Sequence, residues 1–135
     1  MSNDRGGGYI LEPGQGFDAP FVKAGKAQTN GAFCFLELVS QPGRPAVPPH
    51  IHELEDEYFY VAEGELLFRV AGHTGLARAG AFVKIPKGTV HSHEHSGVAN
   101  ARYIAMFSPA GVEGFFVERT QRAIKWGSSD DIALG

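Results

Sequence analysis

The stretch "PPHIHELEDEYFYVAEG", residues 48–64, sets two histidines and four acids just ahead of an aromatic run that alternates like a strand. In an extended chain, residues two apart share a face. His50 and His52 therefore point the same way if the segment is extended, as do Glu57, Phe59 and Val61 in the run that follows. Further on, "HSHEHS" (91–96) aligns His91, His93 and His95 by the same parity. A metal site on a β scaffold needs such rows: ligands two apart on one strand, completed from its neighbours. One His-x-His pair among six histidines carries little weight, whereas three pairs carry more. Taken singly, "HSHEHS" also reads as a surface histidine cluster, and "PPHIHELEDE" as a solvated acidic loop.

Outward from this stretch, the chain reads as short β-rich runs separated by turns. "AFCFLELVS" (32–40) is a strand candidate, with Phe33 and Phe35 among its apolar residues. "QPGRPAVPP" (41–49) carries four prolines, which lack the ladder N–H, and is expected to be a loop leading into the histidines. "DEYFYVAEGELLFRVAG" (56–72) reads as a hairpin turning at "AEGE". "GLARAGAFVKIPKGTVHSHEHS" (75–96) reads as strand, Pro-Gly turn and strand, and "ARYIAMFSP" (101–109) as a last strand. "YILEPGQG" (9–16) suggests a short strand and a turn. In "GVEGFFVERTQRAI" (111–124), Val112, Phe115, Phe116 and Arg119 recur at helical spacing. Five to eight short strands with frequent turns imply an all-β sandwich or small barrel, with a short C-terminal helix.

The 135 residues suit one domain, with a core over 30–110, a flexible N-terminus to about residue 8 and a polar tail from Gly127. A formal charge of −3 is unlike the basic footprint of a nucleic-acid binder. No apolar run is long enough for a membrane span, and the N-terminus lacks a signal-peptide pattern, so a cytoplasmic location is expected. The lone cysteine, Cys34, excludes an internal disulfide and reads as a buried, inert thiol within an apolar run.

Two spaced motifs tie these observations together. Gly43, six residues, His50-Ile51-His52, four residues, Glu57, six residues and Gly64 form the first; Gly80, Pro86, Gly88, His91 and His95 form the second. The chain thereby resembles the cupin superfamily, jelly-roll β-barrels with a metal inside, and in particular its small quercetin-dioxygenase-like members. It departs from the pattern by one extra residue after Gly43 and by His95 where the family carries Asn. Carried over by position, the resemblance implies that His50, His52, Glu57 and His91 bind one divalent ion. Three neutral imidazoles and one carboxylate suit Fe, Mn, Ni, Cu, Co or Zn without choosing among them. Four protein ligands also leave positions open for water, O2 or a substrate oxygen.

The resemblance further implies a dioxygenase-like reaction on a small aromatic or enol/enolate substrate, with Glu57 as ligand or base. The alternatives are a cyclase, isomerase or lyase that uses no O2, and a non-catalytic binding protein. By parity His93 would line the cavity as a second catalytic residue and His95 would stand behind the ligands; a strand ending after His91 would leave both in water. Glu53, Glu55 and Asp56 fall off the spacing, facing solvent or supporting the site, so Glu55→Ala is expected to leave the metal in place. Glu63 and Glu65 flank a turn and read as solvated. Phe33, Phe35, Phe59, Phe68, Phe82, Tyr103 and Met106 read first as core, or else as an aromatic pocket, and Trp126 as packing. Small cupins usually pair, so a homodimer is expected.

Overall fold

The computed structural model describes residues 7–126, with the side chains of the last helix as far as Gln121. Strict alternation builds the first sheet. In β1 (Val22–Ala24) and β2 (Cys34–Ser40), Val22, Ala24, Cys34, Leu36, Leu38 and Ser40 are buried. After β3 (Val47–His50), β4 (Asp56–Glu63) buries Glu57, Phe59 and Val61. The next three strands are β5 (Glu65–Val70), β6 (His73–Arg78) and β7 (Phe82–Ile85). They are followed by β8 (His91–Ser96) and by β9 (Ala101–Ser108), which buries Ala101, Tyr103, Ala105 and Phe107. Two helices complete the chain, a single turn α1 (Lys26–Thr29) and α2 (Val112–Trp126).

The strands form a five-stranded antiparallel sheet, β1-β2-β9-β4-β7, and a four-stranded one, β3-β8-β5-β6. Their inner faces meet in one core, Leu36, Leu38, Phe59, Val61, Tyr103 and Phe107 joining Leu66, Phe68 and Ala77. Each large side chain removed from water there contributes about 1.5–3 kcal/mol. This is the expected jelly roll with a C-terminal helix. Among the described residues no helix is long and apolar enough to cross a membrane.

The pairing differs from the expected hairpin at 56–72. β4 and β5 belong to different sheets, and Gly64 between them is a corner rather than a hairpin tip. Its φ is +74°, and a Cβ there would lie 2.5 Å from the Asn100 carbonyl oxygen. The hairpin falls instead between β5 and β6, closed by Ala71 (φ 49°) and Gly72 (φ 82°). Two consecutive positive-φ residues give a turn whose twist matches its strands. The run 75–96 likewise divides into three strands: β6 and β8 lie in one sheet and β7 in the other.

Residues 41–49 are not all loop. Pro48 and Pro49 lie inside β3, which is tolerated because β3 is an edge strand, where missing N–H groups need leave no neighbour unpaired. "YILEPGQG" forms the turn but no strand; Gln15 N–H donates to the Glu12 carbonyl and Gln15 Oε1 accepts from Glu12 N–H. Strand β1 and helix α1, unmarked by any clear period, were not anticipated. Phe33 and Phe35 sit half-buried on the outer side of β2, since its parity turns Cys34, Leu36 and Leu38 inward. Residues 1–6 and the tail from Gly127 lie outside the described residues, as does the Trp126 side chain.

Candidate metal centre

Four elements bring His50, His52, Glu57 and His91 together. His50, ending β3, pairs directly with His91, opening β8. Glu57 faces them from β4 in the opposite sheet, and His52 reaches in from the crossing segment. Backbone bonds hold that segment: Gly88 N–H donates to the His52 carbonyl at 2.8 Å, and Asp56 Oδ1 accepts from Lys87 N–H at 2.9 Å. The Pro-x-Gly turn before His91 is thus tied to both ends of the first histidine motif. Each of the four residues offers one ligand atom, all within 4.8 Å of one another.

The ring orientations are specific. Nδ1 of His50 lies 2.7 Å from the Pro48 carbonyl, and Nδ1 of His91 lies 2.9 Å from that of Thr89. A carbonyl can only accept, so each Nδ1 carries the proton and each Nε2 keeps its lone pair. His52 repeats the pattern with a carboxylate, Nδ1 lying 3.6 Å from Glu55 and Nε2 3.8 Å from Glu57. Nε2 of His91 approaches Glu57 Oε1 at 2.9 Å, yet the two buried atoms lack the alignment of a hydrogen bond. They are close without being aimed at each other, as expected of atoms aimed at a third. At metal–ligand distances of about 2.1 Å, two ligands of one ion stand roughly 3–4 Å apart. The donor set fits a divalent ion.

The protons respond to this crowding. Burial pulls the His91 pKa down, but Glu57 and the Thr89 carbonyl outweigh it and the net direction is up. For His52 burial wins and the pKa falls, with the nearby His50 and His91 adding to the fall and Glu57 and Glu55 opposing it. An ion would compete for the same electron pairs as these protons.

Glu55 is not among the four candidate ligands; its carboxylate stands 3.6 Å behind the His52 ring, longer than a hydrogen bond but placed to support it. Glu55→Ala is expected to bind stoichiometric metal at saturation but about tenfold more weakly, at the low end of losses for such supporting residues. Metal titration against a competing chelator reads this; unchanged affinity would show that the 3.6 Å approach does nothing.

The remaining candidates separate by depth. β8 continues regularly past His91, and His93 is buried, its ring centroid 5.3 Å from those of Phe59 and Phe68. It lines the same cavity as His50, His52 and Glu57. His95 faces inward too, but toward the far end of the barrel, where Nδ1 meets Ser40 Oγ at 2.9 Å. That places it away from the four-residue group and does not support a role behind the ligands. Glu63 meets Arg102 at 3.3 Å on the surface, and Glu65 accepts from Ser96 at 3.3 Å. Cys34 is fully buried; desolvation, helped by Glu113, pushes its thiol up to about 12, so it stays protonated and unreactive.

The cavity measures about 450 Å³, within the usual range for small-molecule sites. Its apolar wall was not foreseen. Of the seven aromatic or methionine candidates, Phe59, Phe68 and Tyr103 are core and Phe82 is exposed. The wall consists of Phe107 with Val112, Phe115 and Phe116, the last three on α2. The helical spacing of 112, 115, 116 and 119 was visible in the sequence; that this stripe faces the site was not. One residue anchors it there. Glu113 accepts from Lys26 N–H at 2.6 Å and from Gly111 N–H at 2.7 Å, fastening the first turn of α2 to α1.

Comparison with known proteins agrees with this architecture. The profile of the cupin domain matches residues 36–107. Among solved structures, KdgF from a Halomonas species superposes with a TM-score of 0.57 at 21% identity, over 62% of this chain and 74% of that one. A protein described as a predicted oxalate decarboxylase, from Thermotoga maritima, gives 0.54 at 30% identity over 59% and 69%. An oxalate oxidase in complex with glycolate gives 0.55 at 28%, with 63% of this chain spanning 48% of that one. A search of curated protein sequences finds no match.

Proposed function

Since the chain belongs to the cupin family, we propose that it is a metal-dependent oxidoreductase of dioxygenase type, acting on a small aromatic or enol substrate. The observation that carries this is the set of three imidazoles, each with Nδ1 facing an oxygen, arranged around buried Glu57 at one end of a largely apolar cavity. A divalent ion held there supplies Lewis acidity and, when redox-active, a route for electrons to O2. The chain's own groups do the rest. Glu57, a carboxylate buried beside the cavity, takes the substrate's hydroxyl proton at Oε1 or Oε2. His93 forms part of the inner wall, where its ring orients the substrate. Phe107, Phe115 and Phe116 exclude water and hold a flat ring against the site.

Oxygen uptake tests the reading, using protein loaded in turn with Mn, Fe, Ni and Cu and screened against flavonols, catechols and β-diketones. Uptake with at least one metal, abolished in Glu57→Ala, is the expected result. The likeness to the predicted oxalate decarboxylase at 30% identity favours a second reading, a metal-dependent lyase or isomerase that uses no O2. Anaerobic turnover without oxygen uptake in any metal form would decide for it. The partner proposed for the folded chain is a second copy of itself, through the outer face of the five-stranded sheet where Tyr60 and Phe82 are exposed. A monomer in light scattering would end that proposal.

A further inference from the structure

Helix α2 stands between two cavities. At about 3.6 residues per turn, Val112, Phe115 and Phe116 fall on the face that walls the site, and Gly114, Val117 and Gln121 on the face opposite. That opposite face borders a second cavity of about 490 Å³, closed on its other side by Phe17, Val22 and Ala27. Other walls of the site are stiffer: Val47, Glu57, His93 and Phe107 belong to strands bonded into the two sheets. Helix α2 instead has open space of comparable size behind it.

The first turn has the makings of a pivot. The two bonds that Glu113 accepts, from Lys26 N–H and Gly111 N–H, both lie there and fix that end of the helix. Gly111, at φ +136°, makes the bend by which the chain enters it. One turn on, Gly114 is harder to account for. A glycine inside a helix costs backbone entropy, and the local geometry does not demand one here. Gly114 is not among the positive-φ residues, and an added Cβ would meet nothing within 4 Å. What the glycine keeps is clearance, on the face turned to the second cavity.

We propose that α2 is a movable wall, pivoting on its first turn into the second cavity, and that the clearance at Gly114 sets how long a ligand the site admits. A single ring enters the site as it stands. A longer ring system presses Phe115 and Phe116 outward, and α2 gives way toward α1. This deepens the functional reading above: it rests on the first cavity as the substrate site, but on no particular metal and no use of O2. The plainer role for Gly114 is that of a surface residue beside a water-filled groove. The two roles separate when the clearance is filled.

The probes are catechol, with one ring, and 3-hydroxyflavone, with three. Calorimetry would measure both on metal-loaded and metal-free protein, for wild type, Gly114→Ala and Gly114→Leu. Melting is read first. With space to enter and a better helix former in place, Gly114→Leu should melt at or above wild type. A lower Tm would mean that the leucine has no room, which overturns the proposal. Gly114→Leu should then bind 3-hydroxyflavone at least about tenfold more weakly than wild type, the scale of forcing a filled space, and catechol within about twofold. Gly114 faces away from the ligand, so no direct clash would explain such a loss. Gly114→Ala, which adds one methyl, should stay within about twofold of wild type for both. An equal loss in Gly114→Ala would point to backbone freedom and overturn the role given to clearance. Unchanged flavone binding in Gly114→Leu, equal weakening of both ligands, or a wild type that binds neither overturns the proposal as well. If no metal form consumes O2 yet the flavone-specific loss appears, the oxidative reading falls and the movable wall stands.

Discussion

Glu57→Ala is expected to reduce bound metal from near one ion per chain to near zero after dialysis, measured by elemental analysis of untagged protein. Glu57 is the acid among the four candidate ligands, and only 4% of its surface is exposed. Its loss leaves three neutral imidazoles to hold a dication with no compensating charge. The drop in affinity should exceed the roughly 10–100-fold typical of residues that merely support ligands. Stability supplies an independent reading. An ion at a thousand times its Kd raises wild-type stability by about 4 kcal/mol, and the variant should show almost none of that rise. Removing a buried carboxylate could instead disturb the fold, so Glu57→Gln, which keeps the shape, belongs beside it. Wild-type metal content in both variants would remove Glu57 from the site.

The second large effect lies at the corner between the sheets. In Gly64→Ala the new Cβ would meet the Asn100 carbonyl oxygen at 2.5 Å and Ala101 Cα at 2.7 Å, both backbone atoms of the β8–β9 connection and β9. Neither is the loose end of a flexible side chain, so the strands themselves must shift. The positive φ adds its own cost of about 1–3 kcal/mol. Together they should exceed about 4 kcal/mol, a large part of the roughly 5–15 kcal/mol that holds a domain folded. Insoluble protein, or a fall in Tm of more than about 10 °C, is expected. Gly72→Ala is the control: its φ is +82°, but nothing lies within 4 Å of the added Cβ. If the two variants melt alike, close packing at Gly64 is not what the corner requires.

Gly64 also marks where the sequence stops being legible. Period-two alternation displays Glu57, Phe59 and Val61 as one face, because side-chain parity is a property of a single strand. Which strand lies alongside is not. A glycine between two β-rich runs reads the same whether the chain reverses within a sheet or crosses to the opposite one, and here it crosses. The inner row of β2 misled for a related reason. Phe33 and Phe35 look like core by size, while the sheet's parity gives the interior to Cys34, Leu36 and Leu38. The four candidate ligands were legible from spacing joined to a family pattern. Which of its two alternatives Glu55 takes, solvent or support of the site, was not, because that depends on the orientation of the His52 ring. Nor was the bond from Lys26 to Glu113, which joins positions 87 residues apart.

Strand β3 has a last consequence. A sheet edge with its donors intact invites another strand to add to it, from a neighbouring molecule or from the chain's own termini. Pro48 and Pro49 lack N–H groups, so this edge strand offers fewer donors immediately before His50. The four-stranded sheet therefore resists extension along this edge, next to the cavity that Val47, Pro48 and His50 help to line. The prolines that disguised β3 as a loop thus keep the flank of the cavity free of an added strand.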